Sequence, residues 1–278
     1  MATSNSLDFA LTRDNLITMA MQHVNAIGEG DSPSSTQLTE MSRILNAIVK
    51  EKAGLGMPSW TIKRGYILPT TDVSSIATDS HIVTAYDTTT LSAASAANDT
   101  TLTVTSITGF SNADEIGIEL DSGDMDWTTI NGAPSGTTIT ITTGVTSAAA
   151  SGNRIFGYTA SSQRVQKPLR ILDANILEVT NSRGWPIRQI SNQEYYKLPN
   201  RTSNGTPNQF YYDWSSSLET NLDNGRVFIW PRFNTGDNII EFTYTRTLQD
   251  FDAASDNPDF PQAFYLSLFL ELASLIGP

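Results

Sequence analysis

The sequence contains no cysteine and only two histidines. Without cysteine there is no disulfide framework, no thiol nucleophile and no cysteine-ligated zinc or iron–sulfur site. His23 and His81 stand far apart, so neither indicates a zinc site. The most apolar stretch, residues 264–276, is much shorter than the roughly 20 residues that cross a bilayer. We therefore expect no cofactor, no metal and no membrane contact.

The common enzyme motifs are also missing. No Gly-x-Ser-x-Gly element occurs, and the glycines of 132–136 have the wrong spacing for one. The glycine pairs at 28–30 and 54–56 are not followed by the Lys-Ser/Thr of a phosphate-binding loop. The chain is therefore predicted not to be an enzyme. A carboxylate pair that cleaves peptidoglycan stays open, because any two of the 29 acidic residues could meet in space.

Basic residues are absent from a long internal segment. Residues 65–153 contain no lysine or arginine, whereas 154–246 contains more basic than acidic residues. The acidic segment is predicted not to hold DNA tightly. Within the basic segment Arg164, Lys167 and Arg170 lie close together in sequence and form the candidate DNA-facing or interface cluster. The simpler interpretation, that these are solvated surface charges, is favoured.

One turn gathers four acidic residues, namely Glu119, Asp121, Asp124 and Asp126. Carboxylate oxygens suit calcium, but the order of a helix–loop–helix site and its distal glutamate are lacking. A hairpin tip kept soluble by charge is the favoured interpretation.

Two helices are predicted at the start of the chain. Thr12 is placed to cap the first, whose apolar residues recur at three- and four-residue spacing until Gly28 stops it. The second is predicted over 35–53, with an apolar stripe that includes Leu45 and Ile48. The short connection makes the two helices antiparallel neighbours. A C-terminal helix is predicted after Pro261, with Leu268 and Leu272 on one face.

Between these helices the patterning is that of β-structure. Residues 87–160 are rich in Thr, Ser and Gly, with short alternating runs separated by turn signals, which predicts an inserted antiparallel sandwich or barrel. Further strands are predicted at 171–179, 187–190, 210–214, 226–230 and 239–245, with a hairpin turn at Asn224-Gly225. The predicted fold class is α+β: a helix hairpin and C-terminal helix packed with a β-rich body (1–86 and 161–278) that carries the module.

Large aromatic residues punctuate the second half of the chain. They are Trp185, Tyr195, Tyr196, Tyr211, Tyr212, Trp214, Trp230 and Phe233. Such rings can stack on single-stranded nucleic acid. They fall at strand positions rather than among basic residues, so roles in the core and at subunit interfaces are favoured.

The order of short motifs along the chain resembles one family. The N-terminal motifs are Thr12-Arg13-Asp14-Asn15-Leu16-Ile17, Gly28, Ser32-Pro33-Ser34, Leu45-Asn46, Trp60 and Tyr66-x-Leu68-Pro69. The later ones are Pro168-Leu169-Arg170-Ile171, Pro186-Ile187, Leu198-Pro199-Asn200, Tyr211-Tyr212-Asp213-Trp214, Arg226-Val227-Phe228-Ile229-Trp230-Pro231 and Asn257-Pro258-Asp259-Phe260-Pro261. In this order they resemble the head-to-tail adaptors of short-tailed bacteriophages, also called tail accessory factors or packaged-DNA stabilisation proteins. The inserted module departs from the family pattern, and so does the C-terminal tail, which is short or missing in this sequence.

The resemblance implies a structural protein of the virion at the head–tail junction, present in the host cytoplasm before assembly. Such a protein forms a ring, typically a dodecamer, beneath the portal protein and joins it to the tail tube or hub (nozzle) protein. Duplex DNA passes through the lumen without sequence-specific binding. Two other classes remain as alternatives: a tail-associated peptidoglycan hydrolase, and a glycan-binding tail protein built on the module.

Overall fold

The computed structural model describes residues 9–54, 59–71, 73–78, 80–214 and 225–277. Within these ranges the chain is a mixed α+β protein with five α-helices and several largely antiparallel sheets, which confirms the predicted class. Contacts divide it into two compact units, Met1–Thr61 with Thr247–Pro278, and Ile62–Arg246. The predicted body spans parts of both units, and residues 87–160 fall within the second. The predicted boundaries of the module stay a prediction.

The helices and strands have the following bounds. The helices are α1 (Arg13–His23), α2 (Ser35–Gly54), α3 (Ala160–Gln163), α4 (Asn192–Tyr196) and α5 (Tyr265–Ile276). The strands are β1 (Ile62–Ile67), β2 (Ser75–Ala77), β3 (Ile82–Val83), β4 (Asp87–Thr90), β5 (Thr101–Thr103), β6 (Glu115–Glu119), β7 (Met125–Thr129), β8 (Thr138–Thr140), β9 (Arg154–Tyr158), β10 (Arg170–Glu178), β11 (Arg183–Pro186), β12 (Arg188–Gln189), β13 (Gln209–Asp213), β14 (Arg226–Trp230) and β15 (Asn238–Thr245). Short 3-10 turns lie at Ser59–Thr61 and Gln262–Phe264. None of the described helices is long and apolar enough to span a membrane.

Helix α1 begins where the sequence predicts and ends earlier. The Thr12 side chain accepts a hydrogen bond from the Asn15 amide at 3.3 Å, which confirms the predicted cap. The helix ends at His23, five residues before Gly28, so that part of the prediction is wrong. Asn25 adopts a left-handed conformation with φ of 58°. A residue in that conformation cannot continue a right-handed helix, and asparagine tolerates it well.

Helix α2 matches its prediction to within one residue. Ser34 and Gln37 form a reciprocal cap: the Ser34 amide donates to Gln37 Oε1 at 2.8 Å, and the Gln37 amide donates to Ser34 Oγ at 3.3 Å. Both interactions supply partners to amides that the first helical turn leaves without one. The local sequence therefore sets this helix start.

The core of the first unit joins α1, α2 and α5. Leu16 and Ile17 of α1, Leu45 of α2, and Leu268 and Leu272 of α5 belong to one buried cluster. Asn46 also holds the segment that leads to α5: its side chain donates to the Phe251 carbonyl at 3.1 Å and accepts from the Phe251 amide at 2.9 Å. The three helices thus form one hydrophobic unit.

The second unit contains two sheets that share a core. The first has five antiparallel strands in the order β11-β10-β15-β1-β3. The second has the order β12-β13-β14-β2, with β12 and β13 parallel. Side chains of both sheets meet in one buried cluster, which includes Ile176, Ile240 and Phe242 from the first and Phe210 and Ile229 from the second.

Some strand predictions were incomplete. Strands β10, β12, β13, β14 and β15 appear within one or two residues of their predicted bounds, but β2, β3 and β11 were missed. Each of these three is at most four residues long, so it carries too little periodicity to be recognised. Strand β13 pairs with β14 in antiparallel fashion from Asp213↔Arg226 onward. Asn224 of the predicted hairpin turn lies outside the described residues.

Residues 87–158 form two further antiparallel sheets, with orders β4-β9-β6-β7 and β5-β8. Ile116, Ile118 and Ile155 of the larger sheet lie in one buried cluster with Leu102 and Ile139 of the smaller. The described strands do not close into a barrel, which removes the barrel from the two predicted forms.

This segment packs against the five-stranded sheet. Phe156 and Tyr158 of β9 share a buried cluster with Leu68 and Ile239. The Trp127 indole N–H donates to the Pro69 carbonyl at 3.0 Å. Arg154 forms an ion pair with Asp237. Apolar burial, hydrogen bonds and an ion pair therefore hold residues 87–158 in one place within the second unit.

Candidate functional site

The helical unit exposes an unusual amount of apolar side chain along α5. Leu266 is 63 % exposed and Leu270 is 41 % exposed, although α5 is the most apolar segment of the chain. These two residues are four apart and lie on one side of the helix. Leu268 and Leu272 are buried, which shows that a different side of α5 packs in the core. The outer stripe is therefore a candidate contact surface for another protein.

A small apolar pocket lies in the same unit. It has a volume of about 140 Å³ and is lined by Trp60, Phe260 and Phe264, with the Lys52–Glu271 ion pair of 2.9 Å also contributing. The indole N–H of Trp60 is buried and has no hydrogen-bond partner among the residues that the structure describes. A buried donor without a partner costs free energy that an incoming acceptor would recover. The pocket suits an apolar side chain with a neighbouring carbonyl.

The three basic residues of the candidate cluster have separate environments. Arg164 pairs with Glu115 at 3.2 Å and follows α3. Lys167 places its ammonium group 5.1 Å from the centre of the Trp214 ring. Arg170 is exposed at the first position of β10. Arg164 and Lys167 thus have partners within the chain, and the DNA-facing role of the three stays a prediction.

The acidic turn acts as a set of hydrogen-bond acceptors. Glu119 accepts from the Gly236 amide at 3.2 Å, Asp121 from the Ala150 amide at 2.7 Å, and Asp126 from the Thr146 amide at 2.7 Å. Asp124 accepts from the Ser122 hydroxyl at 2.8 Å. Among the described residues, no group of three or more His, Asp or Glu side chains is arranged to hold a metal ion. The sequence does not reveal this bracing role, because most of the partners are distant along the chain.

The two histidines differ strongly in environment. His23 is exposed on α1 and meets Phe269 edge to face at 5.7 Å. His81 stacks on Trp127 with ring centres 4.0 Å apart, and its Nδ1 lies 3.1 Å from the Tyr158 hydroxyl. That hydroxyl is also 3.2 Å from the Ser80 carbonyl, which can only accept. The Tyr158 hydroxyl therefore lies within hydrogen-bond distance of both Ser80 and the His81 ring.

His81 is neutral at physiological pH. Burial, and to a lesser extent the positive charge of Arg164, lowers the pKa of His81 from its ordinary 6.5 to about 4. Both causes disfavour the imidazolium form. The neutral ring therefore keeps one of its two nitrogens as a hydrogen-bond acceptor.

We expect His81 to make stability fall in weak acid. The unfolded chain takes up this proton below about pH 6.5, whereas the folded chain resists it until about pH 4, so acid favours unfolding between these values. Between pH 7 and pH 5 the loss is about 2 kcal/mol of unfolding free energy. Urea denaturation at both pH values should show it, and His81→Gln should show a smaller pH dependence. An unchanged pH dependence in His81→Gln would contradict the assignment.

The aromatic residues divide between core and surface. Tyr195 and Phe233 are buried, while Trp214 and Tyr196 are 62 % and 54 % exposed. Arg201 lies over the Tyr196 ring at 5.0 Å. Exposed rings that carry a basic partner suit a protein interface as well as a stacking surface. Tyr195 and Phe233 are thus core residues, and Tyr212 packs against the core that the two sheets share.

One acidic side chain of the second unit acts on another. Burial first, and then the charge of Asp114, raises the pKa of Asp87. Asp114 is 2 % exposed, and its oxygens accept from the Thr159 hydroxyl at 2.8 Å and the Ser111 amide at 2.7 Å. Both oxygens are engaged, which suits an anchor for the loop rather than a general acid. This pair gives the hydrolase alternative no support.

Comparisons with known proteins identify no relative: no protein-family model matches the sequence, and no curated protein matches it significantly. Function is therefore inferred from the motif order and from the surfaces described above.

Proposed function

We propose that this chain is a subunit of the head-to-tail adaptor of a short-tailed bacteriophage. It assembles as a ring, a dodecamer by the family resemblance, beneath the portal protein and joins the portal to the tail tube or hub protein while DNA remains packaged. In the finer architecture of this proposal, the helical unit docks the portal, the β-rich body makes the lateral and distal contacts, and the inserted sandwich points outward.

The exposed apolar stripe of α5 is the observation that carries the proposal. A soluble monomer gains nothing from leaving Leu266 and Leu270 in water, since burying such a side chain stabilises by roughly 1.5–3 kcal/mol. In a subunit whose α5 surface is buried on assembly, both leucines would stabilise the interface. The neighbouring pocket with the unsatisfied Trp60 indole offers an anchoring position of the kind found at the centre of protein interfaces.

The charge distribution also supports a DNA-conducting ring. The chain carries a formal net charge of −12. Many of the basic side chains already form ion pairs within the chain, including Arg64 with Glu241, Arg154 with Asp237 and Arg188 with Glu194. Paired cations have little left to offer phosphate, so DNA in the lumen would not adhere. A lumen surface that weakly repels DNA suits a ring through which DNA must pass.

Assembly with the portal protein tests the proposal directly. The purified chain, mixed with the portal of the same phage, is expected to form a closed ring with cyclic symmetry, as head-to-tail contacts around a circle require. Native mass spectrometry gives the copy number, and electron microscopy gives the position on the portal. A chain that stays monomeric beside a well-formed portal, over a wide range of concentration and salt, would remove the adaptor assignment.

A further inference from the structure

The segment 87–158 consists of two consecutive stretches of similar sequence. We name residues 87–119 repeat 1 and residues 126–158 repeat 2. Their alignment matches β4 with β7, β5 with β8 and β6 with β9. The aligned stretches are DTTTLS (87–92) with DWTTIN (126–131), TTLTVT (100–105) with TTITIT (137–142), and EIGIE (115–119) with RIFGY (154–158). The two repeats therefore share a three-strand pattern, which is the sign of an internal duplication.

The strand pairing relates the two repeats as a twofold axis would. Strand β4 pairs with β9 and β7 pairs with β6, so the first strand of each repeat pairs with the third strand of the other. The two middle strands, β5 and β8, pair with each other, and so do the two third strands, β6 and β9. Exchanging the two repeats leaves this set of pairs unchanged, which is the property of a symmetric dimer.

Threonine hydrogen bonds occur twice, at equivalent positions. In repeat 1 the Thr105 amide donates to the Thr90 carbonyl at 2.9 Å, and the two hydroxyls lie 2.9 Å apart. In repeat 2 the Thr142 amide donates to the Thr129 carbonyl at 2.8 Å, and the two hydroxyls lie 2.8 Å apart. The similarity therefore extends from the backbone pairing to individual side chains.

The turn before the third strand is also repeated. The Ala113 amide donates to the Ile130 carbonyl at 3.0 Å, and the equivalent Gly152 amide donates to the Leu91 carbonyl at 2.7 Å. Both donors adopt the left-handed conformation, with φ of 67° at Ala113 and 97° at Gly152. Alanine adopts this conformation rarely, so strand pairing alone does not account for its use at both equivalent positions.

The repeats differ most on one face of the larger sheet. Repeat 2 has three aromatic residues where repeat 1 has none: Trp127 for Thr88, Phe156 for Gly117 and Tyr158 for Glu119. All three pack toward the five-stranded sheet: the Trp127 indole donates to the Pro69 carbonyl, and the other two rings lie in the cluster shared with Ile239. Gly117 is the register partner of Trp127, and a Cβ there would stand 2.7 Å from the indole.

We propose that residues 87–158 are a duplicated unit whose partner is a second copy of itself, and that repeat 2 carries the residues adapted to dock on the five-stranded sheet. The positions that match include buried Leu102 with Ile139 and Ile116 with Ile155, which the pairing of the two copies requires. The aromatic residues serve a different contact. The five-stranded sheet has no twofold axis of its own, so it can engage only one of two equivalent surfaces. The proposal does not depend on ring assembly.

The decisive test is hydrogen exchange, read by mass spectrometry, on a full chain with the repeats in reversed order: repeat 2, then residues 120–125, then repeat 1. Strands β5 and β8 should keep wild-type protection, because each repeat still meets the same partner. Residues 66–71 should exchange at least about tenfold faster, because the aromatic residues now lie on the other side of the axis. The matched control reverses two adjoining segments that are not equivalent, 100–119 and 120–139, and should lose protection of β5 and β8.

A smaller exchange tests the duplication without moving any segment. Leu102→Ile, Val104→Ile, Ile139→Leu and Ile141→Val together swap the buried residues of β5 and β8. Because each new residue already occupies the equivalent position in the other repeat, the melting temperature should stay within about 2 °C of wild type. A loss of more than about 5 °C, or a reordered chain as unprotected as its control, would overturn the duplication.

Two point variants test the docking residues. Trp127→Thr introduces the residue of repeat 1 and should make residues 66–71 exchange at least about tenfold faster, while β5 and β8 keep their protection. Thr88→Trp, at the equivalent exposed position of β4, is the matched control and should leave the exchange of both regions unchanged. If the two variants alter residues 66–71 alike, or if neither does, Trp127 is not a docking residue and that part of the proposal is overturned.

Discussion

Phe242→Ala is expected to lower the free energy of unfolding by about 3–5 kcal/mol, the range for removing a buried aromatic ring. Phe242 is 1 % exposed and lies on β15, the central strand between β1 and β10. Its register partner on β1 is Gly65, and a Cβ added there would stand 2.6 Å from the Phe242 ring. The ring thus fills space that Gly65 leaves empty, and its loss leaves a cavity that no neighbouring side chain can close.

Urea denaturation of the purified variant measures this loss. Thr245→Ala, on the same strand at a half-buried position, is the control and should cost less than about 1 kcal/mol. A Gly65→Val change added to Phe242→Ala should recover about 1 kcal/mol, because the new side chain occupies part of the vacated volume. If Phe242→Ala costs no more than the control, the Phe242–Gly65 packing is not the centre of this core.

Leu266→Glu combined with Leu270→Glu is expected to abolish ring formation with the portal protein and leave the fold intact. Both positions are exposed, so glutamate is tolerated in the free subunit. In an assembled interface the two carboxylates would lose their hydration without a partner, at a cost of several kcal/mol. Because each 1.4 kcal/mol is a factor of ten in affinity, we expect at least about a 100-fold weaker assembly.

Native mass spectrometry with the portal measures the assembly, and circular dichroism checks the fold. The matched control is Thr101→Glu combined with Thr103→Glu, which adds the same charge at exposed positions of β5, in the segment proposed to point outward. This control should assemble like wild type. Rings formed equally well by the α5 variant would show that the stripe faces solvent in the assembly, while rings lost in both variants would indicate a general effect of charge.

Local sequence signals correctly predicted where the first two helices begin. Thr12 caps α1 as expected, and the second helix was placed to within one residue, because caps and apolar stripes act over a few residues. The end of α1 was misplaced because Asn25 takes the left-handed conformation that the sequence suggested for Gly28. On β15, Ile240 and Phe242 lie on one face, in the core that the two sheets share. Ile239 lies on the other face, in the core shared with β9.

The partners of individual polar side chains were less predictable from the sequence than the helices and strands. Arg164 and Lys167 stood out in the sequence as basic residues close together. In the structure Arg164 pairs with Glu115 and Lys167 lies over the Trp214 ring, and both partners are about 50 residues away along the chain. The acidic turn was interpreted as a hairpin tip kept soluble by charge, whereas three of its carboxylates accept hydrogen bonds from backbone amides that are distant along the chain. Thr70 carried no sequence signal at all, because an unsatisfied hydroxyl exists only once neighbouring strands enclose it.

The order of amino acids alone determined the α+β class, the places where helices begin, the lack of thiol chemistry and the excess of negative charge, since these depend on neighbours along the chain. Folding in three dimensions decided which leucines of α5 remain in water and which carboxylates have partners. It also placed the His81 ring beside Tyr158, which is 77 residues away along the chain. Energies of burial and hydrogen bonding depend on distance in space, and only the packed chain defines that distance.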